Sequence, residues 1–331
     1  MVISEFHSAV EALYHGWDEN HPLHGEPSSA AARDGIVGVY EAADRMVARL
    51  LDRFPEARFV LFNLHSMGRN DSDVASMLML PELLYRMQFG RPYMREWPLD
   101  AQSLPKSPER NGWSGSMIRR LPRAPLFKWA VRRALCGVLG SEPIGWMPAT
   151  HYQRFWRHME AFALPSYYDG RVRVNLAGRE RHGTVPLDRY AQVLDRIEAT
   201  LLACRHVDRD QPIVAKIQRN PRSPLELGPS EADLVVVWDT APQGLIHDRF
   251  GQIGPLPYRR TGGHTGGEGI AYFYGEGIES RSDIKRSAFG VVPTVIEMLG
   301  LTPRNVLGQG FAEQILRPAP LAAESGRARL R

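Results

Sequence analysis

The stretch from Arg58 to Asp73, RFVLFNLHSMGRNDSD, constrains this chain more than any other. Phe59 to Leu64 is a short apolar run with Val60 and two phenylalanines. It is too short for a typical helix and reads as a strand buried on both faces. It breaks into His65, Ser66, Met67 and Gly68, a polar and flexible turn. Ligands in open α/β sheets bind just beyond the carboxyl ends of strands. That position suits His65 to be a metal ligand or an acid/base group. The plainer alternative is a strand-end histidine bonded to backbone.

The segments around this strand supply helices and further strands. Asp34 reads as an N-cap, followed by Ile36, Val37, Val39, Tyr40, Ala43, Met46, Val47, Leu50 and Leu51 at helical spacing, ending near Phe54-Pro55. Pro81 to Gln88 reads as a helix with Pro in its first turn. Arg171 to Leu176, Ile213 to Ile217, Leu234 to Trp238 and Ile270 to Tyr274 read as strands. Pro186 to Cys204 and Gly290 to Leu299 read as helices. The expected fold is α/β, a three-layer sandwich with a mostly parallel central sheet, covered by the helices from Asp34 and Pro186 because each carries one apolar stripe.

Between residues 94 and 150 the rhythm is lost. Lys106, Arg110, Arg119, Arg120, Arg123, Lys128, Arg132 and Arg133 gather among Trp113, Phe127 and Trp129. This segment reads as a basic insertion or lid, either an anion funnel, a membrane-surface contact or a solvated face over an apolar stripe. Residues 1–93 and 151–315 would then form the two parts of the α/β core, and 316–331 a loose tail.

Composition narrows the classes. The chain has 331 residues, 43% hydrophobic and 24% charged, as ordinary globular proteins do. Its net charge of +4 favours anionic substrates or partners without requiring nucleic acid. Cys136 and Cys204 have no CxxC spacing, so neither a zinc knuckle nor a disulfide framework is indicated. No stretch approaches the ~20 apolar residues of a membrane span, and the first residues lack the pattern of a signal peptide. A cytoplasmic location is the expectation.

His7, Glu11 and His15 recur every four residues, which places them on one helix face. Two ligand-capable groups at that spacing can grip one metal ion. The alternative is a solvated polar face.

Several stretches together resemble the alkaline phosphatase superfamily, in its type I phosphodiesterase/nucleotide pyrophosphatase-like branch. They are His264 between glycines, the turn Gly275-Glu276-Gly277-Ile278, Val292-Pro293-Thr294-Val295 running into Leu299-Gly300, and Gly308 beyond. Val172 to Val185, VRVNLAGRERHGTV, is similar to that branch's N-x-x-G-R-E-x-x-G stretch, and His65-Ser66-Met67 to its D-H-G-M. The pair His7 and Glu11 falls where the family has D-x-x-x-H. Leu64 stands where the family has an aspartate ligand.

The resemblance implies a metal-dependent phosphoester, specifically phosphodiester, hydrolase with divalent metal, zinc or manganese. It implies His7, Glu11, His65 and His264 as metal ligands, Asn175 and Arg179 as substrate-binding residues, and Ser66 as a substitute nucleophile beside His65. It also implies an alkaline phosphatase-like sheet lacking its N-terminal, nucleophile-bearing part, because only six residues precede His7. Slow turnover, and a sheet edge covered by a second copy or a partner, are expected on that basis. Two other functions fit the residues: a non-catalytic relative that binds a metal or an anionic ligand, and a basic anion- or nucleic-acid-binding protein driven by the Lys106 to Arg133 cluster.

Overall fold

A computed structural model describes residues 2–70, 72–95, 113–122, 147–239 and 243–317. Most of the basic cluster (Lys106, Arg110, Arg123, Lys128, Arg132 and Arg133) and the tail beyond residue 317 lie outside the described residues. The chain forms two compact units, one of residues 1–9, 34–68 and 264–331, the other of residues 10–33 and 69–263.

The second unit holds the main hydrophobic core, whose residues run from Val74 to Leu256. At its centre a π-helical turn, Ala75–Met79, passes directly into the helix Leu80–Phe89. Leu80 through Arg86 are all buried, as expected of a segment apolar around most of its circumference. Pro81 sits at the junction where the π-helical turn meets this helix. Gly90 ends the helix in the left-handed conformation, φ 65°, and its N–H closes on the Arg86 carbonyl at 2.9 Å.

One charged residue on that helix, Glu82, is fully buried. It accepts from Arg86 Nε at 2.8 Å, the Tyr93 and Met94 backbone N–H groups at 3.0 Å each, and the Tyr152 hydroxyl at 2.6 Å. These four donors make the buried carboxylate tolerable. Burial, followed by the Glu82 charge, pushes the Tyr152 hydroxyl pKa well up.

Beside this helix lies a four-stranded sheet in the order Ala161–Leu164, Gly170–Val174, Leu234–Trp238, Val214–Arg219. Along Leu234–Trp238 every second residue is buried, the period-two signature of a strand with one face on the core. The edge strand Val214–Arg219 carries Lys216, Gln218 and Arg219 and a register shift between Val214 and Lys216, devices that blunt an open edge. Helix Tyr190–Leu202 buries Val193, Leu194, Ile197, Thr200 and Leu201, one stripe at helical spacing. A three-stranded sheet of Arg205–His206, Leu245–His247 and Gly251–Ile253 completes this part.

In the first unit the strand Phe59–Phe62 pairs with Ala271–Tyr274, Phe59 opposite Tyr274 and Phe62 opposite Ala271. The Arg58 side chain ties this ribbon down, donating to the Glu276 carbonyl at 2.9 Å and the Met298 carbonyl at 3.3 Å. Helix Val291–Met298 follows, with the Thr294 hydroxyl donating to the Gly290 carbonyl at 2.7 Å and accepting from Phe311 N–H at 2.9 Å.

These sheets overturn the expected three-layer sandwich. The two-, three- and four-stranded sheets just described pair only antiparallel, and no large parallel sheet exists among the described residues. Phe59–Phe62 is not buried on both faces: Phe59 and Val60 are half-buried, Leu61 and Phe62 exposed. The physical reason is that an apolar run of four to six residues has the same pattern in a parallel core strand and in an antiparallel ribbon. Parallel neighbours need a crossover of a dozen or more residues, whereas Ala161–Leu164 and Gly170–Val174 are joined by the short turn over 165–169. No helix among the described residues is long and apolar enough to cross a membrane.

Candidate metal centre

The helix Glu5–Trp17 begins the site. Glu5 in its first turn complements the helix dipole. His7 and Glu11 stand one turn apart on it, with ligand atoms within 4.8 Å of each other. His7 is partly exposed and Glu11 is buried.

His264, although 257 residues along from His7, presents its Nε2 to the His7 Nε2 at 2.6 Å. The other ring nitrogen of His264, Nδ1, lies 3.2 Å from His65 Nε2. The His65 and His264 rings meet edge-on, their centroids 4.7 Å apart at 67°. His65 turns its own Nδ1 to the Ser66 carbonyl at 3.0 Å. His264 therefore stands between the two other histidines, one nitrogen towards each.

Two glycines hold this loop close. A side-chain carbon on Gly266 would collide with Ser66, and one on Gly269 with the backbone of Asn63 and Leu64. The Asn63 side chain also accepts from the Ile270 N–H at 2.7 Å. The turn after Phe59–Phe62 and the segment after His264 are thus packed backbone to backbone. Leu64 is 54% exposed and brings no ligand.

Glu11 has a second engagement. Its carboxylate is ion-paired with Arg260, and its backbone carbonyl accepts from the Thr261 N–H at 3.0 Å. Arg260 is a residue that sequence reasoning missed. Nothing in the periodicity around Arg260 signals a partner that precedes it by so much of the chain. Its neighbour Arg259 is committed elsewhere, paired with the buried Asp73 and lying over the Tyr167 ring at 5.6 Å.

Asn175 and Arg179 belong to the second unit, and both are occupied by their own loop. The Asn175 amide donates to the Trp156 carbonyl at 3.0 Å and the Met159 carbonyl at 2.9 Å. Arg179 forms a two-pronged pair with the Asp233 carboxylate, 2.7 Å on each prong, and donates to the Val174 and Pro224 carbonyls at 2.6 and 2.8 Å. Burial alone would pull the Arg179 pKa down, but the bonds to Asp233 and Glu180 outweigh it and hold the guanidinium charged. Its side chain is 4% exposed. These contacts hold the Asn175–Val185 loop onto the sheet.

The facing nitrogens of His7 and His264 could share a metal ion. Nitrogens sharing a tetrahedral zinc at about 2.0–2.1 Å would sit about 3.3 Å apart. The rings of His7 and His264 would need to spread by less than about 1 Å from their observed separation. No family model, curated protein or solved structure matches the chain.

Proposed function

We propose that this protein is a metal-dependent phosphoester hydrolase, with a divalent ion held by His7 and His264. The observation that carries this reading is the 2.6 Å approach of two imidazole nitrogens from opposite ends of the chain. One of those imidazoles stands a helical turn before a buried carboxylate. Two imidazole nitrogens this close can turn their lone pairs to one shared cation. The resemblance to the type I phosphodiesterase branch supplies the substrate class, a phosphodiester. A bound zinc or manganese would act as a Lewis acid on a phosphoryl oxygen.

Ser66 follows His65 in the chain and carries a hydroxyl, and it is the candidate for a nucleophile. Its carbonyl is used by His65, and its side chain packs on Gly266. With Leu64 in place of a carboxylate ligand, a second ion lacks a donor at that position, and turnover is expected to be slow. The test combines metal and turnover. The purified chain should bind one zinc, hydrolyse a nitrophenyl phosphodiester slowly, and lose that activity with a chelator. His264→Ala should weaken zinc binding at least tenfold and remove the turnover. Zinc binding that is unchanged in both His7→Ala and His264→Ala would rule out this centre.

A further inference from the structure

We propose that His65 is a positioning residue that fixes the tautomer of His264, and not itself a ligand of the metal. This rests on the metal reading above. A backbone carbonyl can only accept, so the His65 nitrogen facing the Ser66 oxygen at 3.0 Å, Nδ1, carries the hydrogen. A neutral imidazole has one donor and one acceptor nitrogen, so His65 Nε2 bears a lone pair. That lone pair lies 3.2 Å from His264 Nδ1, which must therefore donate. His264 is left with its lone pair on Nε2, the nitrogen that faces His7.

The order Ser66 carbonyl, His65, His264, metal delivers the ligating lone pair to the one nitrogen that can share an ion with His7. The two nitrogens of an imidazole point away from each other. An ion bound at His264 Nε2 is therefore on the far side of the ring from His65, and His65 cannot reach it in this arrangement. Ligating histidines commonly donate their other N–H to an acceptor that fixes ring orientation and raises basicity. In most such sites the acceptor is a carboxylate or carbonyl. Here the acceptor is a second histidine, itself held by a carbonyl.

The test uses the full chain with 15N-labelled histidine, at one fixed pH, and the variants His65→Ala and His65→Gln. Two quantities are read: the 15N shifts of the His264 ring without metal, and zinc affinity by competition with a coloured chelator. Wild type should show His264 protonated at Nδ1 as a single tautomer. His65→Ala should show a mixture and bind zinc about 10–100-fold more weakly. His65→Gln, whose amide oxygen can accept from Nδ1, should recover most of both. Because His65 is exposed, neither substitution removes core packing. An unchanged tautomer and unchanged zinc affinity in His65→Ala would overturn the proposal. So would a loss of zinc that His65→Gln fails to restore, since that marks a direct ligand. A wild-type chain that binds no zinc would instead remove the metal reading on which this one rests, while the tautomer shift still decides whether the hydrogen-bond chain exists.

Discussion

His21 is only 3% exposed, and burial, ahead of the neighbouring His15 and Arg69 charges, pulls its pKa down to about 4. Burial is also the leading cause of the lowered pKa values of His15 and His206. An unfolded histidine titrates near ~6.5. Between that value and about 4 the unfolded chain binds a proton that folded His21 refuses, so stability falls as pH falls through this window. The full effect of His21 is up to about 3 kcal/mol, at roughly 1.4 kcal/mol per unit. Urea unfolding from pH 7 down to pH 4.5 should show the decline, and His21→Gln should flatten it. An identical slope in that variant would show that His21 does not titrate on unfolding. Burial also raises the Cys204 thiol, to about 12, so this buried cysteine is a packing residue and not a nucleophile.

The segment Arg260 to Gly262 runs against the helix Glu5–Trp17 at close range. Thr261 bonds the Glu11 carbonyl through its N–H, and its hydroxyl lies 3.4 Å from His15 Nδ1. A side-chain carbon on Gly262 would strike the Val10 carbonyl oxygen and lie 2.9 Å from Tyr14 Cβ. Glycine is needed here for close approach, since its φ is not in the left-handed region. Gly262→Ala should therefore cost about 1–3 kcal/mol, the usual range for overpacking. Gly25→Ala, where an added carbon meets nothing within 4 Å, is the matched control and should leave the melting temperature nearly unchanged. Equal melting temperatures for the two variants would contradict this packing.

Across the molecule, stability should be unevenly spread. The main core cluster lies wholly within the unit that spans residues 69–263. The other unit buries few apolar side chains, among them Ile36, Val291 and Phe311, while Leu61 and Tyr272 on its ribbon are 49% and 60% exposed. A two-stranded ribbon is marginal without a packed face. Local opening free energies follow buried apolar contact. Native-state hydrogen exchange should find the slowest amides in Gly170–Val174 and Leu234–Trp238. Amides of Phe59–Phe62 and Ala271–Tyr274 should exchange orders of magnitude faster. Equal protection of this ribbon and of the two sheet strands would refute this division.

Local pattern by itself determined several of the elements. Leu234–Trp238 is the strand its apolar run announces, and the stripe Val193, Leu194, Ile197, Leu201 lies on a helix. The four-residue spacing of His7 and Glu11 likewise put them on one helix face. These features repeat within a few residues, so periodicity carries them. Strand direction does not repeat locally, and only the tertiary structure decided it, antiparallel in place of parallel. The same holds for Phe59–Phe62, whose partner Ala271–Tyr274 lies far along the chain and leaves half the strand exposed. Arg179 is taken up by Asp233, 54 residues away, and Glu11 by Arg260. His264 could be singled out only through a family resemblance, and its place between His7 and His65 only through coordinates. A buried charge or a ligand nitrogen is defined by what folding brings beside it, and that neighbour has no fixed distance in the sequence.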